Sequence, residues 1–241
     1  MSKTLYLAAG LYFIVLLLIS APASLLNLAV RRMSEDHVSL ANCQGTVWQG
    51  SAVPVLHPGK TSNYPLATLS WQVKPQAWLS GQFKLIASGD FSATPMELTL
   101  ERHRLTLCHV MISMPAEVIG DLSPFLKPAE LGGNLRIESQ QFIYASGVMQ
   151  GKATAYWNQA SSTMSAINPV GDYKIDITAA NDEVHATLST QSGALRLNGQ
   201  GSWSPAKHFK FNGTASGQGN LNELLHHLGP ETAPGIFQIS L

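Results

Sequence analysis

The chain has 241 residues with 15 basic and 15 acidic side chains, so its formal net charge is zero. That balance excludes steering toward nucleic acid or an acidic substrate by the molecule as a whole. Apolar residues make up 45% and charged residues 12%, a composition that excludes wholesale disorder and supplies one good core or two smaller ones.

The first element is an uncharged run. Thr4 to Val30 contains no Lys, Arg, Asp, Glu or His. As one helix its 27 residues extend about 40 Å, more than the roughly 30 Å of a bilayer core. The run therefore predicts a membrane signal-anchor: residues 1–32 form a short cytoplasmic tail and a transmembrane helix, and residues 33–241 form an exported β-rich domain. A cleaved signal peptide is the alternative, since Ala21-Pro22-Ala23 gives a small-x-small ending with Ser24 next. Apolar residues resume at Leu25, Leu26, Leu28, Ala29 and Val30, which favours retention. Beyond residue 32 the chain keeps 12 basic and 15 acidic side chains, a net charge of about −3 by formal count.

Cys43 and Cys108 are the only cysteines. In an oxidising compartment they are able to pair, and closing that 65-residue separation contributes about 4 kcal/mol in the chain-entropy model. Two buried free thiols are the equal alternative.

Beyond Arg32 the pattern has period two. Leu69, Trp71 and Val73 alternate with polar residues, and Phe83, Leu85 and Ala87 fall on one face. Met96, Leu98 and Leu100 lead through a polar turn to Leu105 and Leu107, and similar pairs recur to Phe209 and Phe211. This predicts about ten short strands in an antiparallel sheet, with tight turns at Asn181-Asp182 and Gly193. Crossover helices are missing, so the fold class is mainly β: a membrane-anchored, extended or curled antiparallel sheet with a few short helices. Trp48, Trp71, Trp157 and Trp203 lie in strand-like segments and read as core or sheet-face residues.

Three short helical pieces are predicted. Pro75 to Leu79 begins with proline and ends before Gly81, and Ala116 to Ile119 stops at Gly120. In NLNELLHHLGP, Asn220 caps, Glu223 takes the capping-box position, Leu221, Leu224, Leu225 and Leu228 form a stripe, and Gly229-Pro230 terminates. His226 and His227 are adjacent there and point about 100° apart, so they do not converge.

No GxSxG, HExxH, CxxC, calcium-loop or Walker A sequence is present. Cys108-His109 are neighbours on a strand and face opposite ways, and His103 adds a third metal donor only if that strand bends. Catalytic, cofactor and metal residues are therefore expected to be none, and the chain is expected not to be an enzyme.

The pattern resembles type II secretion system protein N of Gram-negative bacteria over essentially the whole chain. The resemblance rests on GTVWQG at 45–50, LSWQVKPQAWLSGQFKL at 69–85, PFLKPAELGGNLRIES at 124–139, GKATAYWNQASS at 151–162, PVGDYKIDI at 169–177 and GALRLNGQGSW at 193–203. Within these, Gly45, Trp48, Gly50, Trp71, Pro75, Gly81, Trp157, Gly171, Tyr173 and Gly199 look like characteristic positions, and no disulfide is carried over. The resemblance implies a non-enzymatic, single-pass inner-membrane component with its bulk in the periplasm. Its implied role is export of folded proteins across the outer membrane, beside other components of the machine and without nucleic acid. The alternative is an envelope lipid-handling protein whose apolar sheet face is partly open.

Overall fold

In the computed structural model, described over residues 3–59, 62–90, 92–122, 127–165, 167–204, 208–217, 225 and 230–240, the period-two pattern resolves into a single sheet of fifteen strands. They are β1 (Val38–Gly45), β2 (Gln49–Leu56), β3 (Tyr64–Pro65), β4 (Leu69–Val73), β5 (Phe83–Gly89), β6 (Ser92–Glu101), β7 (Arg104–Pro115) and β8 (Gly132–Ala145). The series continues with β9 (Val148–Ser161), β10 (Gly171–Ala180), β11 (Glu183–Gly193), β12 (Leu195–Ser204), β13 (His208–Gly217), β14 (Glu231–Ala233) and β15 (Ile236–Ser240). The order is β1-β2-β4-β5-β6-β7-β8-β9-β10-β11-β12-β13-β15-β14, with β3 attached to β2. Two-residue turns at 102–103, 146–147 and 181–182 leave no room for a crossover, and the longer connections from β4 to β5, β7 to β8 and β9 to β10 likewise return the chain to the neighbouring position antiparallel. At Asn181 and Asp182 both φ angles are positive, 50° and 64°, as the tight turn between β10 and β11 requires.

Strand register sorts the side chains onto two faces. One apolar row runs Val73, Leu85, Leu98, Leu107 and Phe142 across five strands. A second runs Ile112, Ile137, Ala155, Ile175 and Leu188, then crosses Gly199 and Gly213 to Ile239. The opposite face is polar: Gln141, Lys152, Thr178, His185, Ser202 and Lys210 form one row. Beside it lie Glu138, Thr154, Asp176, Thr187, Gln200 and Asn212.

Two buried clusters stand at the two ends of this sheet. Ala160, Val170, Tyr173, Leu195, Ala215, Leu225 and Phe237 form the C-terminal one, and Ala23, Ala52 and Trp71 the N-terminal one. Of the leucine-striped segment predicted near the C terminus, Leu225 is helical and fully buried; Asn220 to Leu224 and His226 to Gly229 lie outside the described residues.

The predicted membrane anchor is not found. The uncharged run divides into α1 (Lys3–Ile19, 17 residues) and α2 (Ser24–Met33), and among the described residues no helix is long and apolar enough to cross a membrane. At 1.5 Å per residue α1 reaches about 26 Å, short of a hydrocarbon core. The break comes from the sheet. Val47 N–H donates to the Ala21 carbonyl (2.9 Å), Ala23 N–H donates to the Gly45 carbonyl (3.1 Å), and Pro22 bridges to Thr46. The transmembrane single-pass placement in the inner membrane, and the periplasmic orientation built on it, fall with that helix.

The other helices are short. Pro75–Ser80 is a 3-10 turn closed by Gly81 at φ 72°, as the proline and glycine predict. The helix α3 (Glu117–Leu122) begins and ends later than expected, carrying Gly120 inside it as a buried residue.

Candidate functional site

The ten motif residues separate into three packing units. Gly45 and Gly50 are cross-strand partners in the β1–β2 hairpin, with Gly45 at φ 84°. A methyl on Gly50 would lie 2.7 Å from the Trp71 ring, so the indole roofs this glycine. Trp71 is buried, and its Nε1–H donates to the Val47 carbonyl at 3.1 Å. Trp48, half-buried, donates Nε1–H to the Leu18 carbonyl at 2.7 Å and meets Trp78 edge-on at 5.4 Å. Pro75 and Gly81 frame the 3-10 turn that presents Trp78.

The second unit centres on Tyr173. Gly171 and Gly193 are partners across β10 and β11, and Gly193 sits at φ 124° against the Gly171 backbone. A methyl on Gly171 would lie 3.1 Å from the Tyr173 hydroxyl. That hydroxyl donates to the Leu195 carbonyl at 2.9 Å, and burial pushes its pKa up to about 12. Trp157 packs on Tyr173 at 5.7 Å and donates Nε1–H to the Gly132 carbonyl at 3.0 Å. The third unit is Gly199 with its partner Gly213, roofed by Phe211.

Cys43 and Cys108 are both free thiols, and the structure does not bring them together. Cys43 packs with the N-terminal cluster on the apolar face, whereas Cys108 pairs with Glu97 on the polar face. Five strand steps from β1 to β7 amount to about 24 Å of sheet, far beyond disulfide reach.

Three features have no counterpart in the sequence reading. The Tyr64 hydroxyl donates to Asp121 Oδ2 at 2.9 Å, joining β3 to α3 across four strand steps, β2 to β7. Hydrogen bonds from Ser62 and then Tyr64 hold the Asp121 carboxyl below its ordinary pKa. Asp172 accepts from the Ser192 hydroxyl at 2.6 Å and the Gln159 N–H at 2.7 Å, which lowers its pKa in that order. The polar face carries exposed ion pairs such as Lys174 with Asp176 at 2.8 Å and Arg136 with Glu138 at 2.7 Å, which add little stability. The ion pairs join residues two apart on one strand, so strand alternation could have suggested them, whereas Tyr64 with Asp121 and Asp172 with Ser192 join segments distant in sequence and are visible only in space.

Among the described residues no three His, Cys, Asp or Glu side chains gather into a metal site. What the molecule offers is surface: two faces of opposite polarity and the edges of one open sheet.

The family described as type II secretion system (T2SS), protein N, matches residues 36–240, which includes every strand of the sheet. The chain belongs to that family. It is 27% identical over 238 residues to "Type II secretion system protein N" of Klebsiella pneumoniae, covering 88% of this chain and 82% of that protein. No solved structure matches the chain. The family is a non-enzymatic accessory family of a transport system, which agrees with a site built from packing and surface.

Proposed function

We propose that this protein is a scaffold of type II secretion that supports export of folded proteins across the outer membrane by contact with other components of the machine. The family match over residues 36–240 carries this reading. An open antiparallel sheet suits the task, because its edges and polar face are available to a partner without an enclosed pocket. The test is a deletion strain of the source organism carrying wild-type or empty plasmid, with a type II substrate assayed in medium and cell fractions. Substrate retained in the cells of the deletion strain and released on complementation is the expected result. Normal export without the protein would overturn the role.

A second reading, lipid handling, is favoured by one observation: Ile137, Ala155, Ile175 and Leu188 line one apolar row and are only half-buried. Among the described residues α2 packs on β1 and the 3-10 turn on β5, away from Ile137, Ala155 and Ile175, while Leu225 belongs to the cluster that Leu188 packs against. Mass spectrometry of organic extracts from the purified chain tests it. Stoichiometric lipid that is lost in Ile175→Asp supports the reading, and lipid-free protein with full export activity removes it.

A further inference from the structure

The two ends of the sheet are finished differently. At β1 the outer edge is stopped by α2, whose Asn27 Oδ1 accepts the Leu40 N–H at 2.9 Å. At the other end β15 covers only Asn212 to Ser216 of β13, and β14 covers β15 near Ile236 and Phe237. Among the described residues, His208 to Phe211 pair with β12 on one side and with no strand on the other.

The chemistry of this open stretch is specific. From Val184 to Gly217 the chain has no Asp or Glu, while Arg196, Lys207 and Lys210 are cationic. Lys210 is exposed on the polar face and makes no ion pair among the described residues. A groove of about 690 Å³ beside it is lined by His185, Gln200, Ser202 and Asn212 and contains no carboxylate. On the apolar face Phe209 pairs with Trp203, and they are 55% and 39% exposed. Phe211 turns inward over Gly199 and Gly213, where a methyl would lie 2.5 and 2.9 Å from its ring.

We infer that His208–Phe211 is the docking edge for an extended segment of another protein, one with an acidic residue beside Lys210 and an apolar residue against Phe209 and Trp203. Such a segment continues the sheet in line with β15 and satisfies the backbone groups of β13 that lack a strand partner. Acyl chains do not fit this edge, because they offer no hydrogen bonds to a peptide backbone. A second copy added antiparallel through the same stretch, centred on Lys210, sets Lys210 opposite Lys210, a repulsive pair. The inference rests on the scaffold reading above and gives the partner its chemistry.

The test uses the full chain and three capped decapeptides: alternating Glu and Val, alternating Lys and Val, and the Glu peptide with a central proline. Binding is read by fluorescence titration, and its place by amide exchange. The Glu peptide should bind at least tenfold more tightly than the other two and slow exchange at Phe209–Phe211 while leaving β1 unchanged. Lys210→Glu, on an exposed side chain, should reverse the preference between the Glu and Lys peptides with the urea midpoint unchanged. Equal binding of the charged peptides, binding without protection at β13, or no binding of the Glu peptide would overturn the proposal. So would protection of that edge that depends on protein concentration without peptide, which marks a second copy. Export assays on the deletion strain can fail or succeed independently, so loss of this edge and loss of the secretion role are separable.

Discussion

The two ends of the sheet use one device with unequal support. At the N-terminal end Trp71 roofs Gly50 and is pinned by its Nε1–H to Val47; at the C-terminal end Tyr173 covers Gly171 beside Gly193 and is pinned by its hydroxyl to Leu195. Both rings occupy space that a Cβ on the glycine would take, and both satisfy a buried polar atom. The difference is what lies on top. Trp71 shares its cluster with two buried alanines and the partly buried Leu26, Leu40 and Leu85, whereas Tyr173 shares its own with Leu225 and Phe237, all three nearly sealed from solvent. An aromatic ring on a glycine pair fixes register, and a second hydrophobic layer turns that register into stability.

That contrast is broken most forcefully by removing each ring. Tyr173→Ala should lower stability by about 3 to 5 kcal/mol and unfold the C-terminal strands as a unit, since it opens the larger core and strips the Leu195 carbonyl of its donor. Trp71→Ala should have a similar local cost, with faster amide exchange confined to β1, β2 and β4. Urea unfolding read beside amide exchange checks both. If Trp71→Ala loosens β10 to β13 as well, the two ends are one cooperative core and the contrast fails.

Leu225 sharpens the comparison, because it is a fully buried cover where the N-terminal end has the partly buried Leu26 and Leu40. Leu225→Ala should cost about 2 to 5 kcal/mol. The loss should appear as exchange in β10, β12 and β15 with β1 to β5 protected. A change below about 0.5 kcal/mol would mean that the segment bearing Leu225 is not part of the core.

Much of this was legible before any coordinates, and the failures have a common physical cause. Period-two patterning located Trp71, Leu85, Leu98 and Leu107 on one face because that alternation is a local property of the backbone. The turns at Asn181-Asp182 and Gly193 were legible for the same reason. The break in the uncharged run was not, because α1 stops where backbone groups of Gly45 and Val47 capture Ala21 and Ala23; Pro22 was the available sign. Nor could spacing show that Cys43 and Cys108 face opposite ways, since face parity must be carried across five strand pairings and the irregular backbone at Asn42 (φ 52°). The resemblance marked Gly45, Gly50, Gly171 and Gly199 without saying why. That Gly171 pairs with Gly193 and Gly199 with Gly213 becomes visible only in register.

Tyr173→Phe makes a smaller change and tests how the C-terminal ring is held. The ring stays and the hydrogen bond to Leu195 goes, a loss of about 1 kcal/mol near neutral pH. With its folded pKa raised to about 12 against an ordinary 10, Tyr173 contributes stability that is intact below pH 10 and is lost as the pH rises toward 12. In the wild type that interval should remove up to about 3 kcal/mol. The phenylalanine variant should lack this slope, so the wild-type curve, about 1 kcal/mol higher near neutral pH, should fall and cross below the variant's as pH rises from 10 to 12. Parallel curves would place the alkaline sensitivity elsewhere.

The smallest effect belongs to the contact between Tyr64 and Asp121, which ties the N-terminal strands to α3. Tyr64→Phe removes the donor but leaves Ser62, the larger cause of the depressed Asp121 pKa. A group depressed in the folded state stabilises above its unfolded pKa and loses that contribution as pH falls through the folded value. The variant should therefore be less stable than wild type by no more than about 1 kcal/mol at pH 7, and the gap should narrow as Asp121 protonates. Asp121→Asn should show the neutral-pH loss without the acid dependence. Because Tyr64 sits on β3 beside β2, any faster amide exchange should appear in β2 and α3 and leave Tyr173 untouched. A deficit that persists unchanged into acid would mean that Tyr64 acts through packing alone, and the hydrogen bond would then contribute nothing to joining β3 and α3.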